Sequence, residues 1–561
     1  MPKSRVGSLL TCSSILILTG CGGGGGGGGN TASATVVTPV NDNTAPQTTP
    51  LFVNVSTTNG IDFTHGYINP TENSMPESFA GGAAAGDYDN DGDIDLFIVR
   101  GDLGPNILYQ NDGNGVFTDV ATSAGLASTR PDGNVYRHSG PTFADLDGDG
   151  HLDLLLGSLN GDPVLVFRNN GDGSFSDVSS GSGLDQITTE NTISAAFGDY
   201  DLDGKIDLAL SHWGSSGEAI GSGDTQTLWK NISSGEGHIA FTSASIDSGL
   251  ALTYASRNPG TGVLEGAHDY SFSPTFARMD GDLYPDFLSV ADFRNSQIFL
   301  NNGDSTFTDF SDDNILIDDS GMGSAVGDYD NDGDLDWFIS SITGSNQPIG
   351  NRLYQNNGLG GLTDVSFDLG INDGGWAWAA CFADFNLDGL LDIYHVNGWQ
   401  DDAFNAYSST PNKLFINNGA SFDEQAADYG LNDTRQARGL VCADFDNDGD
   451  TDVFITHSGG ANSGSLYRND TVTENVSLTV KLVGGGTNTE ASGARIFVSI
   501  GASTQMREII IGSNFTSQNP TVQTIGLGEN NVVDTLRIEW PDGTEQSFSD
   551  VAAGSVIYTQ P

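Results

Sequence analysis

Asp87-Tyr88-Asp89-Asn90-Asp91-Gly92-Asp93-Ile94-Asp95 sets carboxylates at positions 1, 3, 5 and 9 of a nine-residue stretch, with Asp93 at position 7 and glycine at position 6. The apolar run Leu96-Phe97-Ile98-Val99 follows, so the stretch ends on a strand. Small residues fill 81–86 before it, which suits a crowded inner strand. A hard divalent cation such as calcium wants six to eight oxygens at about 2.3–2.6 Å. Four carboxylates and the main-chain carbonyl of position 7 supply most of these, water supplies the rest, and glycine permits the sharp turn. No helix pair flanks the loop to open as a switch, so the ion is expected to be structural.

The spacing returns along the chain. Complete copies stand at Asp145/Asp147/Asp149/Asp153, Asp199/Asp201/Asp203/Asp207, Asp328/Asp330/Asp332/Asp336 and Asp444/Asp446/Asp448/Asp452. In Asp384/Asn386/Asp388/Asp392 an amide oxygen replaces one carboxylate. The fourth loop breaks the pattern: Arg278 takes position 1 and Leu283 the glycine position. It is expected to hold no calcium, with the Arg278 guanidinium pairing Asp280, Asp282 and Asp286 in its place. That leaves about six calcium sites.

Each loop sits in a larger repeat: a small-residue strand, the loop, a strand opening with Asp, a third ending near Asn-Asn-Gly, and a fourth reading Phe-x-Asp-Val. Loop starts are separated by 50 (278 to 328) to 79 (199 to 278) residues. Four short strands per unit predict propeller blades; in the first unit they are 81–86, 94–99, 106–110 and 116–121. The seventh unit ends at Leu466-Tyr467-Arg468-Asn469 without a fourth strand, while Phe52-Val53-Asn54-Val55 matches Phe117-Thr118-Asp119-Val120. The chain start is therefore expected to complete the last blade and leave no open edge. The predicted fold is all-β: a seven-bladed β-propeller over 51–473 and a small β-sandwich of about seven strands over 474–561.

With 561 residues, 74 acidic against 20 basic and a formal charge of −54, the surface is unsuited to nucleic acid or anionic lipid. The N-terminus carries Lys3 and Arg5, then a short apolar run that ends in Leu18-Thr19-Gly20-Cys21, the layout of a secretory signal over 1–20. That run is shorter than the ~20 residues a membrane helix needs. Gly, Ser, Thr and Pro dominate 21–50, a flexible linker.

Leu18-Thr19-Gly20-Cys21 resembles the lipobox of bacterial lipoproteins. The resemblance implies cleavage before Cys21, its acylation, and membrane attachment by lipid alone at the outer membrane or cell surface. Gly-Asp-Tyr-Asp-Asn-Asp-Gly-Asp and Phe-Ala-Asp-Phe-Asn-Leu-Asp-Gly resemble the FG-GAP/VCBS repeats of integrin-α-type propellers. Gly493-Ala494-Arg495, Gly512-Ser513, Ser517-Gln518, Gly526-Leu527-Gly528 and Trp540-Pro541-Asp542-Gly543 resemble the ASPIC/UnbV domain. Together they are similar to bacterial relatives of cartilage acidic protein, which implies calcium binding and an extracellular role in adhesion or matrix contact, without implying a reaction.

Longer connections at 127–139, 211–227, 251–273 and 398–412 are expected on the face opposite the Asp loops, where function usually sits. They and nearby strand ends offer His138, His212, Trp213, His268, Trp376, Trp399, Arg435, Arg438 and His457 for a carbohydrate or protein ligand. The alternative is acid–base chemistry on an acidic polysaccharide, as in a propeller-shaped lyase, but no His/Glu or Ser/His pair has motif spacing. Arg100-Gly101-Asp102 is a tripeptide common by chance. Cys381 and Cys442 fall on inner strands of adjacent blades and are either a disulfide or two buried thiols.

Overall fold

The computed structural model describes residues 51–68, 75–214, 225–250, 269–343, 350–399, 405–459 and 462–561. The signal and linker with Cys21, the candidate His268 and large parts of three of the long connections lie outside these residues.

Residues 52–469 form seven four-stranded antiparallel sheets. In the first blade the strands are Ala83–Gly86, Asp95–Ile98, Ile107–Asn111 and Phe117–Asp119, each within a few residues of its predicted place. Every Asp-rich loop joins the first strand of its sheet to the second, so all seven lie on one face. The innermost strands touch in cyclic order, that of the seventh sheet meeting that of the first. Phe52–Asn54 pairs antiparallel with Gly464–Asn469, Phe52 opposite Asn469, and supplies the missing outer strand. This is an all-β propeller closed by its own N-terminal strand.

The apolar clusters lie between neighbouring sheets. One gathers Ala83, Leu96 and Ile107 of the first with Val441, Phe454 and Leu466 of the last, all buried. A polar joint repeats beside them. The asparagine ending each third strand (Asn111, Asn169, Asn231, Asn301, Asn356, Asn417, Asn469) donates its amide to the position-2 carbonyl of the preceding loop, at 2.7–3.1 Å. Its second amide hydrogen goes to a carbonyl of its own blade. At about 1 kcal/mol net per bond, this joint fixes each blade against the last. Cys381 and Cys442 are joined as a disulfide between the sixth and seventh blades, with Cα atoms 6.6 Å apart.

Residues 477–559 make two further sheets, one of three strands (Ser477–Val483, Gln523–Gly526, Gly554–Thr559) and one of four (Arg495–Ile500, Ser503–Glu508, Val532–Glu539, Glu545–Ala552). They share a core containing Leu478, Val480, Ile496, Val498, Leu536 and Trp540, as in a sandwich. The third strand in chain order, counting Ser477–Val483 as the first, ends at Glu508, and 509–520 has a different task.

That segment enters the propeller axis. Asn514 accepts from Ala380 N at 2.8 Å and donates to Leu440 O; Thr516 N meets Ser194 Oγ, and Phe197 N meets Ile511 O at 2.8 Å. Gln518 closes two bonds with the backbone of Phe143, each 2.7 Å, and two with Ala83 and Ala85. Inner strands have no inward neighbour in the ring, so these bonds satisfy backbone groups that otherwise face an empty channel. Phe515, fully buried, packs on Trp378 and Phe272 at 5.0 and 5.3 Å. From the opposite side the short helix Met75–Phe79 sends in Phe79, 6.3 Å from Phe515.

Candidate metal loops and their cap

Position 4 of every loop has a left-handed backbone: Asn90, Gly148, Leu202, Gly281, Asn331, Leu387 and Asn447 have φ between 53° and 82°. For Leu202 and Leu387 this costs on the order of 1 kcal/mol or more and persists only where the surroundings impose it. Position 6 is left-handed in six loops, all glycine. In the fourth loop Leu283 is not among the left-handed residues, so its backbone departs where its sequence does.

Position 9 is a staple. In all seven loops one of its carboxylate oxygens accepts the N–H of position 2 and the other accepts the N–H of the asparagine ending the third strand. Position 1 turns the loop: Asp145 accepts from the N–H groups of Gly148, Asp149 and Gly150, and Asp199, Asp328, Asp384 and Asp444 accept in the same way from positions 5 and 6.

Carboxylate oxygens within 4.8 Å of one another gather at Asp87/Asp89/Asp95, Asp145/Asp147/Asp153, Asp199/Asp201/Asp203, Asp328/Asp330/Asp332 and Asp444/Asp446/Asp452. The remaining predicted carboxylates of these loops stand outside the triads: Asp91, Asp93, Asp149, Asp207, Asp336 and Asp448. Asp149 pairs with Arg168 at 2.5 Å, and Asp93 accepts from Asn447 of the seventh loop at 2.8 Å. In the sixth loop Asp384, Asp388 and Asp392 form no such triad among the described residues, and Asn386 is the fourth oxygen donor.

The donor set fits a cation. Oδ1 of Asp87, Asp89, Asp147, Asp201 and Asp446 is buried with no hydrogen-bond partner, a costly state for a carboxylate oxygen unless an ion occupies the space before it. Burial first, then neighbouring aspartates, push Asp199 and Asp328 up to about 7 and Asp95 to about 8. A divalent ion reverses both effects.

The fourth loop corrects one expectation. Arg278 does not pair with the carboxylates of Asp280, Asp282 or Asp286. It is 3 % exposed and points into the sandwich, donating to Glu539 at 2.6 Å and to Gly493 O, with only the main-chain carbonyl of Asp282 accepting in its own loop. Glu508 accepts from Arg278 N and pairs with Arg495. The guanidinium found a less crowded partner across the interface, where geometry allows a short ion pair.

Around the rest of the ring the sandwich sits on the loops. Lys481 pairs with Asp87 at 2.9 Å, Thr489 donates to Asp145 at 2.6 Å, Asn475 donates to Asn386 O, Ser477 to Gly449 O and Thr487 to Gly204 O. These residues carry no signal in the sequence, because a contact between distant segments leaves no local pattern.

At the opposite end, most residues proposed for a ligand face are interior, which corrects that placement. His138 is fully buried between Gly157 O and Thr129 Oγ1, and burial pulls its pKa down to about 4. His212 is fully buried against Asn191 O and Gln226 O, each at 3.0 Å. His457 is bonded to Ser465 and pulled down to about 3. Trp376 and Trp399 stack at 5.1 Å, and Arg438 lies over Trp378 with its N–H groups on Ser78 O and Gly398 O. Trp213, partly exposed, packs on Phe79 and Phe272; Arg435 is exposed, as expected of a ligand face, and is held by Asp433. Trp213, Trp376 and Trp399 belong to the apolar cluster of Phe79, and Arg438 caps it over Trp378, a grouping visible only once the ring has closed. Arg100-Gly101-Asp102 is likewise occupied: Arg100 donates to Thr64 O and Asp102 pairs with Arg137.

Comparison with known proteins agrees with this division. The sequence profile of FG-GAP-like repeats matches residues 87–156, 145–210, 278–339 and 397–455, and that of ASPIC and UnbV matches 484–560. Cartilage acidic protein 1 of Homo sapiens is 24% identical over 534 residues, covering 88% of this chain and 73% of that protein; the Mus musculus protein is 25% identical over 520 residues, covering 87% and 74%. Among solved structures, the BP39L lectin from Burkholderia pseudomallei is 11% identical with a TM-score of 0.38, covering 70% of this chain and 99% of the lectin. A rhamnogalacturonan lyase of Bacillus licheniformis is 13% identical with a TM-score of 0.29, covering 76% and 90%. The chain carries FG-GAP-like repeats followed by an ASPIC and UnbV domain, and is similar to cartilage acidic protein 1 along most of its length.

Proposed function

We propose that this chain is an exported binding protein, anchored through a lipid on Cys21 at the outer membrane or cell surface, whose seven-bladed disc is stabilised by about six calcium ions. Five triads of carboxylate oxygens, repeated on one face, carry the reading. Calcium there neutralises mutually repelling carboxylates and has a structural role. The sandwich covers this face, which favours the opposite one, bearing the long connections, for a carbohydrate or protein ligand. Binding is preferred to polysaccharide cleavage because His138, His212 and His457 are buried and hydrogen-bonded, so none is presented as a base.

Metal analysis of the purified protein and thermal unfolding with and without chelator test the reading. Free calcium at a hundred times the dissociation constant stabilises by about 2.7 kcal/mol per site, so removing several ions is expected to lower Tm by on the order of 10 °C or more. A protein that purifies without calcium and melts identically with chelator would overturn it.

A further inference from the structure

Between the sandwich and the propeller lies a crevice of about 230 Å³. Its floor is the inner ends of the fifth to seventh blades, with Val326, Phe382 and Leu391; its roof is the three-stranded sheet, with Thr479, Thr524 and Ser555. Arg507 lines it and is 6 % exposed. The guanidinium donates to Met506 O at 2.8 Å and to Gln505 Oε1 at 3.1 Å, both neutral, while its Nε–H has no acceptor. Arg507 makes no ion pair among the described residues, and Asp328 and Asp384 act on it only at longer range. A buried guanidinium with an unmet N–H is costly, and the cost grows if calcium claims those two aspartates. An anion in the crevice relieves it.

The lining narrows the choice. Asp444 and Glu508 share the wall with one further cation, Lys481, and two carboxylates disfavour a dianion such as phosphate and favour a single carboxylate, the partner that a guanidinium fork fits best. Hydroxyls on the roof and an apolar floor suit a molecule with hydroxyls on one side and C–H groups on the other. The volume is below the roughly 300–1,000 Å³ of drug-sized sites, so the occupant is small. We propose that the crevice between the two domains binds a small hydroxylated monocarboxylate, a sugar acid, with Arg507 holding its carboxylate. The charge argument leans on the calcium reading, and Asp444 and Asn447 of the seventh loop belong to the crevice wall, but Arg507 is no part of a metal loop and the crevice lies apart from the opposite face.

Calorimetric titration of the full chain in calcium with D-glucuronate tests it, with D-glucose and inorganic phosphate as comparisons. Glucuronate is expected to bind, glucose and phosphate at least tenfold more weakly, and Arg507→Gln to weaken glucuronate by about tenfold or more, as loss of a charge-assisted hydrogen bond does. Because Arg507→Gln could disturb folding, Ser555→Trp serves as the second variant: Ser555 is exposed at the rim, so the indole is expected to abolish binding at unchanged Tm. Glucose or phosphate binding as well as glucuronate, or either folded variant binding like wild type, overturns the proposal. Calcium content is measured separately: metal without glucuronate binding removes this inference alone, and glucuronate binding without metal removes only the calcium reading.

Discussion

The second and fourth Asp loops share a staple and differ at position 1 and in what it touches. In both, position 9 is a fully buried carboxylate that accepts two backbone N–H groups: Asp153 from Leu146 and Asn169, Asp286 from Met279 and Asn301, all at 2.7–2.9 Å. The second loop then gathers Asp145 and Asp147 around Asp153. The fourth replaces position 1 by Arg278 and spends that residue on Glu539 of the sandwich. The difference separates two uses of aspartate that look alike in sequence: position 9 staples the blade in all seven loops, and positions 1 and 3, joined by position 9 or 5, gather the charge that calls for an ion.

The largest effect that sharpens this division is at position 9. Asp286→Ala strands two buried N–H groups and is expected to cost about 2–5 kcal/mol, equally with and without chelator in denaturant unfolding. Asp153→Ala is expected to cost at least as much in calcium and less in chelator. Asp147→Ala is expected to lose most of its cost once calcium is removed. If Asp286→Ala proved as chelator-sensitive as Asp147→Ala, the fourth loop would be a metal site and the division would fall.

Next is the ion pair that the fourth loop gained. Arg278→Ala removes the shorter of the two ion pairs of Glu539 and leaves Arg537 at 3.5 Å, an expected loss of about 1–3 kcal/mol. A double-mutant cycle with Glu539→Gln is expected to recover much of it as coupling energy. Additive costs would mean that Arg278 acts through packing alone.

These outcomes bear on what the sequence could disclose. The Asp spacing, the seven repeats and the homeless fourth strand of the last unit led to the ring and its closure by Phe52–Asn54, because each is a local pattern whose count must balance. The triads were legible for the same reason. The destination of Arg278 was not: its own loop offered three carboxylates, and the better partner lay 261 positions away. Nor was the task of 509–520 legible, since a segment that satisfies inner strands of a ring has no periodicity of its own. Of the residues assigned to an open face, the tryptophans turned inward onto the cluster of Phe79 and Phe515, and the histidines onto backbone carbonyls and hydroxyls of neighbouring strands and turns.

The pH dependence of the metal-free protein is a weaker probe of the same contrast. Burial pushes Asp286 up to about 8 and Asp336 up to about 9, far above the ~3.9 of an unfolded aspartate. The folded state therefore holds protons that the unfolded state releases, and stability is expected to fall as pH climbs from about 4 towards 8. Calcium is expected to flatten this slope by taking the charge of the loops that bind it and to leave the share of Asp286, which Asp286→Asn removes. Urea midpoints at several pH values, with calcium and with chelator, measure it; a chelated protein that gains stability across this range would contradict the assignment.

The smallest expected effect distinguishes loops that carry all their aspartates. Arg168 pairs with Asp147 at 2.7 Å and with Asp149 at 2.5 Å, and Lys230 pairs with Asp201 and Asp203. In the fifth loop the matching strand position is Gln355, which donates to Asp330 at 2.6 Å without a charge. A protein cation on positions 3 and 5 competes with calcium for the same carboxylates, and both cations are partly exposed, so the competition is worth no more than about 1 kcal/mol. Arg168→Gln and Lys230→Gln are each expected to tighten calcium at one site by roughly two- to fivefold at low salt, with less gain at high salt as screening weakens the competing pair. Titration with a calcium indicator reads the change. Loosened binding in both variants would mean that the basic side chains orient the carboxylates for the ion rather than contest them, and the loops would then be graded by geometry instead of charge.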